Sequence, residues 1–223
     1  MTRQNTPILR RVAVTLAVGA AVTAAAHLLD PWAVAHLTDR TLQHAWWYKP
    51  LRWLGDGRTW AVVGFVLLAI EFKIGRLWRT GSPKLPVPGT ALLALSVGIG
   101  GLAAEALKPL IGRKRPEDVT GGGAGYEFWS WSKRIPWSDC GIPSSHTAVV
   151  FSAAAALWFI DKRLGVLVGL LGCGTALTRI VNANHYFSDT VAGAVLGIAA
   201  GQVAAWLLRD KGSGVATATL RPE

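Results

Sequence analysis

The stretch TVAGAVLGIAAGQVAAWLL, residues 190–208, carries no formal charge, and about 20 mostly apolar residues are what an α-helix needs to cross the hydrocarbon core of a bilayer. Working outward from it, residues 12–29 and 85–104 are likewise uncharged and rich in Ala, Val, Leu and Gly. A soluble domain of this size would have to hide all of these runs in one small core, which excludes an ordinary soluble fold. Residues 147–160 and 164–178 add two more candidates, separated only by Asp161, Lys162 and Arg163, a charged tight turn between antiparallel helices. Residues 60–70 supply a sixth, which is short and needs Arg58 and Thr59, or Glu71 and Phe72, at the interface to reach across. The expected fold is all-α, a polytopic membrane bundle of about six transmembrane helices.

The small residues support close packing of that bundle. Gly193, Gly197 and Gly201 recur every four positions, as do Gly165 and Gly169, so each set lies on one helix face where backbones can approach. Of the 11 tryptophans, Trp32, Trp60, Trp78, Trp158 and Trp206 fall near proposed span ends, as an interfacial aromatic belt requires. One domain, residues 12–208, is expected, with a cytoplasmic N-terminus at 1–11 and a flexible cytoplasmic tail at 209–223. Arg10 and Arg11 before an apolar run that reaches Ala24, Ala25 and Ala26 resemble a signal peptide, but the length of the uncharged run favours a retained anchor. Residues 30–58, 73–84 and 108–141 read as loops.

Composition narrows the partners. Hydrophobic residues make up 51% of the chain and the formal charge is +10, with a mean hydropathy of +0.34. The 23 Lys and Arg occur in short clusters between apolar runs without a continuous basic stripe, which argues against nucleic acid and for the anionic headgroups and phosphates of a bilayer. Cys140 and Cys173 match no zinc or redox spacing and read as structurally neutral.

Spans alternate in direction, so the end of the third, the start of the fourth, the end of the fifth and the start of the sixth share one membrane face. The unusual polar residues gather there. LKPLIGRKRP places Lys108 and Arg115 about two helical turns apart if the helix continues. IPSSHT carries Pro143, Ser144, Ser145 and His146, and TRIVNANHYFSD carries Thr178, Arg179, His185 and Asp189. Arg offers a planar fork that binds phosphate oxygens bidentately and Lys a compact charge, so Lys108, Arg115 and Arg179 together suit a phosphoryl group. PSSH at a helix N-terminus presents backbone N–H groups and two hydroxyls to an anion. His185 and Asp189, four apart, share a face if they lie on a helix, where the carboxylate holds one ring nitrogen and leaves the other free to attack phosphorus. His146 stands opposite, placed to give a proton to the leaving oxygen. Glu105 reads as an ion-pair partner of Lys108, and His27, His36 and His44 have no comparable company.

These segments closely resemble the signature of the type 2 phosphatidic acid phosphatase (PAP2) superfamily, which includes lipid phosphate phosphatases and vanadium haloperoxidases. That signature is Lys, six residues, Arg-Pro; then Pro-Ser-Gly-His; then Ser-Arg, five residues, His, three residues, Asp. Lys108, Arg115 and Pro116 fit the first part; Pro143, Ser144 and His146 the second, with Ser145 for glycine; and Arg179, His185 and Asp189 the third, with Thr178 for serine. The resemblance covers roughly residues 85–208. It implies a PAP2-like helical core, no metal or other cofactor, and a phosphohistidine on His185 oriented by Asp189. It also implies His146 as acid and then base, and phosphate binding by Lys108, Arg115, Ser144, Ser145, Thr178 and Arg179. Independently, the motifs hold one carboxylate where a two-metal phosphatase needs several acidic ligands.

The expected function is a membrane phosphatase acting on a phosphomonoester or pyrophosphate of a phospholipid or polyprenyl lipid. A phosphotransferase using the same site and a non-enzymatic binder or transporter of anionic lipids are the rivals, and the latter leaves the pairing of His185 with Asp189 unexplained. The motifs read the phosphate and not the lipid. Tyr126, Trp129, Trp131 and Trp137 are candidates to line or cover the site. A cytoplasmic N-terminus and six spans put the motifs on the extracytoplasmic face of the cell membrane. Arg179→Lys should be strongly impaired, and Arg113→Lys nearly silent.

Overall fold

The computed structural model describes residues 6–74, 89–116 and 136–218, with side chains at 8–70, 89–116 and 136–208. Tyr126, Trp129, Trp131 and Trp78 lie outside them. Among the described residues the regular elements are helical: α1 (Thr6–His27), α2 (Asp30–Leu37), α3 (Tyr48–Leu54), α4 (Gly57–Ile74), α5 (Gly89–Ile111), α6 (Ser145–Ile160), α7 (Lys162–Val181) and α8 (Phe187–Ala218).

Every apolar run read as a span is a helix, but their lengths differ. Ile8–His27, Gly89–Ile111, Lys162–Val181 and Phe187–Leu208 are long and apolar enough to cross a membrane alone, and the chain is an integral membrane protein. The weak sixth candidate is one arm of a bent pair, Tyr48–Leu54 with Gly57–Ile70, whose axes meet at 70°. The reach that residues 60–70 lack comes from α4 itself, whose 18 residues run Gly57–Ile74, while α3 is a helix within a stretch expected to be loop. α6 has 16 residues, about 24 Å at roughly 1.5 Å per residue, shorter than a hydrocarbon core of about 30 Å.

α6 is the axis of the bundle. Val150, Ala153 and Ala156 are fully buried against Leu92 of α5 and Ala204 of α8, and Trp60 of α4 closes the same cluster. Trp60 is therefore a core residue instead of a belt residue, its indole N–H donating to the Leu54 carbonyl at 2.6 Å. The glycine series on α8 faces α6. Gly197 lies so near that an added Cβ would meet the Ser152 nitrogen at 2.8 Å and the Ala148 carbonyl, and Gly201 faces Ala155. With lipid outside as apolar as the core, such backbone approach is what holds helices together. Ser96 Oγ on α5 donates to the Ser152 carbonyl at 2.7 Å, and Gln202 of α8 donates to Thr15 of α1 at 2.9 Å. The outward faces remain apolar, as Val18 and Val22 of α1, Phe65 of α4 and Leu170 of α7 show.

Local chemistry sets the boundaries. Asp161 caps α7, its carboxylate accepting from the Arg163 and Leu164 N–H groups at 2.7 and 3.3 Å, so the expected tight turn is a helix cap. Residues 30–58, expected as loop, instead fold into α2, a short 3-10 turn and α3. Asp30 and Pro31 open α2 in the order a helix start favours. α5 runs past residue 104 to Ile111, so Glu105 and Lys108 sit on its last turns. It stops at Gly112, whose φ of 62° suits glycine, and Arg115 lies beyond the helix. At the other end α8 continues through residues 211–218, expected to be flexible, to Ala218.

Candidate active site

Each polar segment occupies a helix end. Past Gly112 the chain runs extended, and Lys114 bridges antiparallel to Cys140, with Arg115 N–H donating to the Asp139 carbonyl at 3.1 Å. This joins the stretch holding Lys108 and Arg115 to the approach to PSSH. Ser144 caps α6 and Ser145 opens it, so the expected helix N-terminus is present. α7 ends at Val181, and the chain turns through Ala183 at φ 56°, where the Asn184 and His185 N–H groups both donate to the Arg179 carbonyl at 3.0 and 3.3 Å. A non-glycine residue at positive φ is a strained choice, of the kind that clusters at functional sites.

His185 thus precedes α8 instead of sharing its face with Asp189. Asp189 sits in the first turn, where Oδ2 accepts the Tyr186 N–H at 2.9 Å. His185 Nδ1 lies 3.7 Å from that oxygen, both side chains being buried. This is longer than a hydrogen bond, so the carboxylate faces the ring without bonding it. Burial, followed by the charges of Arg179, Arg115 and Lys108, pushes the His185 imidazole well below its ordinary pKa.

One cavity of about 450 Å³ is lined by Lys108, Arg115, Ser145, His146, Arg179 and His185 together, drawn from all of the segments. Gly55, Asp56, Arg52 and Arg58 from the α3–α4 junction complete its wall. Gly55 lies against His146, where a Cβ would come within 2.7 Å of the His146 Cβ, so the junction packs on that histidine. Glu105 also lines the cavity and accepts from Lys108 Nζ at 2.7 Å, the expected ion pair. It further accepts from Trp137 Nε1 at 3.0 Å and from the Ser145 hydroxyl.

Two of the expected phosphate ligands are elsewhere. Thr178 Oγ1 donates to the Thr175 carbonyl at 2.6 Å, one turn back, and is fully buried. Ser144 is also fully buried, its hydroxyl accepting from Thr147 Oγ1 at 3.1 Å and its N–H donating to the Asp189 carbonyl at 3.0 Å. Neither lines the cavity. These residues knit the site together from behind.

The largest departure from the sequence reading is Arg113. It has no exposed surface. Its NH1 donates to Asp189 Oδ1 and to Ser188 Oγ, each at 2.7 Å, its NH2 to Asp30 Oδ2 at 2.8 Å, and its guanidinium stacks 3.9 Å over the Tyr186 ring. Asp30 is likewise fully buried, accepts from the Ser188 N–H and hydroxyl at 2.8 and 2.6 Å, and pairs with His27 Nδ1 at 3.2 Å. The expectation of a silent Arg113→Lys is overturned by this geometry, and His27 has company after all. The spacing singles out Arg115 before Pro116 but gives Arg113 no role; the Asp30-Pro31 pair was the one available signal of order at residue 30.

An all-helical membrane bundle whose helix ends bring histidines and guanidinium groups into one cationic cavity defines a class of integral membrane protein. The chain belongs to the PAP2 superfamily, whose sequence model matches residues 89–213. It is 31% identical over 150 residues to the lipid A 1-phosphatase of Rhizobium etli, covering 64% of this chain and 62% of that protein. It is 30% identical over 161 residues to the lipid A 1-phosphatase of Rhizobium johnstonii, covering 66% and 64%. The chain thus spans a little under two thirds of the length of these curated relatives. The crystal structure of the first transmembrane PAP2 type phosphatidylglycerolphosphate phosphatase from Bacillus subtilis shares the fold, with a TM-score of 0.56, 17% identity, and coverage of 99% of this chain and 100% of that one. That of Aquifex aeolicus LpxE does so with a TM-score of 0.50, 19% identity, and coverage of 70% and 82%.

Proposed function

We propose that the chain is a membrane lipid phosphate phosphatase that works through a phosphohistidine on His185. The observation carrying this reading is the single cavity lined together by Lys108, Arg115, Arg179, His185 and His146. In the reaction, Lys108, Arg115 and Arg179 bind the phosphoryl oxygens, joined by the Ser145 N–H and hydroxyl at the start of α6. His185 Nε2 attacks phosphorus and forms the N–P bond as the P–O bond to the lipid breaks. His146, whose pKa burial and the charge of Arg179 push down to about 3, takes up a proton as the bound phosphate dianion offsets those charges, and gives that proton to the departing oxygen. Water then attacks the phosphohistidine, its proton passing to His146, and inorganic phosphate leaves as the N–P bond breaks. Asp189 faces Nδ1 and favours the positive charge that develops on the ring.

For the lipid, the named activity of both Rhizobium relatives points to a phosphate on a saccharide lipid of the lipid A kind. The active site is proposed to face away from the cytoplasm. Purified protein should release phosphate from lipid A faster than from phosphatidic acid, phosphatidylglycerol phosphate or undecaprenyl pyrophosphate, and His185→Ala should abolish release from all of them. Retained turnover in His185→Ala would remove the phosphohistidine. Release of no phosphate by wild type, with transfer to an added lipid or sugar acceptor instead, would establish the phosphotransferase.

A further inference from the structure

Glu105 is an unexpected group to find in an anion site. It lies on the last turns of α5, and both of its oxygens are engaged: one by Lys108 Nζ at 2.7 Å and by the Ser145 hydroxyl, the other by Trp137 Nε1 at 3.0 Å. Its partners come from α5, from the 3-10 turn Trp137–Asp139 and from the first residue of α6. Within the ion pair the Glu105 side chain is 41% exposed and that of Lys108 7%. The carboxylate therefore lies on the open side of the cavity and the ammonium beneath it. Ser145, which replaces the signature's glycine, supplies a hydroxyl that holds this carboxylate in place.

We propose that Glu105 is a specificity-determining residue: its fixed negative charge disfavours the more highly charged anion, so that the site takes a phosphomonoester in preference to a diphosphate. This rests on the reading of the cavity as a phosphate site. An oxyanion reaches Lys108 only by sharing it with Glu105 or displacing it. A monoester phosphate does so with Arg115 and Arg179 on the same cavity wall. A diphosphate brings a second phosphate toward the mouth, where Glu105 repels it. Of the other cations on that wall, Arg58 is already matched by Asp56 at 2.9 Å. A plain helix-stabilising pair would predict a different outcome, since removing it would cost stability without tightening any anion.

The test is calorimetric titration of the full chain in detergent with inorganic phosphate and with inorganic pyrophosphate. Wild type should bind phosphate more tightly. Glu105→Gln should tighten phosphate by about threefold and pyrophosphate by about tenfold or more, because each added negative charge gains separately from loss of a partly screened neighbour. Should Glu105→Gln not fold, Glu105→Met removes the same charge at similar volume and should show the same order. Ser145→Gly, which removes one of the three donors to the carboxylate but keeps its charge, should preserve the preference for phosphate. Equal tightening of both anions by Glu105→Gln, or tightening of neither, would overturn the proposal. Absence of phosphate binding to wild type would bring down the phosphate-site reading, and the proposal with it.

Discussion

Arg113→Lys is the substitution for which sequence and structure disagree most, and the structure allows its cost to be worked out. The guanidinium joins two buried carboxylates: NH1 bonds Asp189 and Ser188, and NH2 bonds Asp30, all within 2.8 Å. A lysine ammonium is a single point that can sit at one end of this fork. It keeps the charge but gives up at least one hydrogen bond to an ionised partner, a loss of about 1.5–3 kcal/mol. Removing the charge altogether, as in Arg113→Ala, leaves buried carboxylates unmatched and should cost about 3–5 kcal/mol. Arg113→Lys should therefore lower the apparent melting temperature by roughly 3–12 °C in detergent, at about 2–4 °C per kcal/mol for a chain of this size. Because Asp189 shifts with the fork, kcat should fall by at least about tenfold with KM nearly unchanged, as for a loss confined to the transition state. A purely structural residue would lower the folded fraction and leave the kcat of the folded enzyme intact. Titrating active sites with a phosphoenzyme trap, then measuring kcat per active site, separates the two. Wild-type kcat and melting for Arg113→Lys would refute the argument.

His146→Ala should lose far more activity on a lipid alkoxide than on p-nitrophenyl phosphate, whose leaving group needs no proton, and with the latter should accumulate an acid-labile phosphohistidine; equal losses on both esters would refute its role as acid. Thr178→Val should leave KM within about twofold, because its hydroxyl bonds the Thr175 carbonyl instead of facing the cavity; a large rise in KM would show that the hydroxyl turns to phosphate. Gly197→Leu should prevent folding, since the nearest atoms to an added Cβ are α6 backbone, whereas Gly57→Ala, with nothing within 4 Å of its added Cβ, should be tolerated; a well-folded Gly197→Leu seen by size exclusion would refute the packing argument. A cysteine replacing the exposed Ser138, in a chain without Cys140 and Cys173, should react with an impermeant thiol reagent on intact cells; labelling only after lysis would place the site on the cytoplasmic side.

What the sequence makes legible is what depends on local composition and spacing. Residues 190–208 announce a helix in lipid because hydropathy is additive along the chain, and the glycine series announces a close contact because its period matches the helix. The grouping of Lys108, Arg115, His146, Arg179 and His185 follows from alternating span direction. The reasoning stops where a position is fixed by a partner far away in the chain. Arg113 and Arg115 are chemically identical two residues apart, and only the pairing of Lys114 with Cys140 and the position of Asp30 decide which one turns into the protein. Thr178 has a hydroxyl suited to phosphate, yet its helix offers the Thr175 carbonyl first. His185 and Asp189 have helical spacing, but the turn through Ala183 delays α8 until Phe187. α3 escapes a search for long apolar runs because it has seven residues, Lys49 and Arg52 among them.

The buried network explains why a membrane phosphatase of this design would place its most expensive charges behind the nucleophile. Asp189 touches every segment of the site: its carboxylate faces His185 and bonds Arg113, and its carbonyl accepts the Ser144 N–H. Arg113 carries the connection to Asp30 at the start of α2, outside the residues 89–213 that the family model matches. A buried charge is tolerated only when paired and hydrogen-bonded, and Arg113, Asp30, Ser188 and Asp189 supply one another with those partners. In the proposed mechanism, charges fixed in this way would not reorganise when the ring of His185 becomes positive, so their stabilisation would be available at once in the transition state. On this reading the N-terminal helices do more than anchor the chain. Through Asp30 they complete the electrostatic frame of the nucleophile, and Asp30→Asn should therefore lower kcat with a coupling to Arg113→Lys of about 0.5–3 kcal/mol in a double-mutant cycle. Additive effects of the two substitutions would disconnect the N-terminal helices from the chemistry.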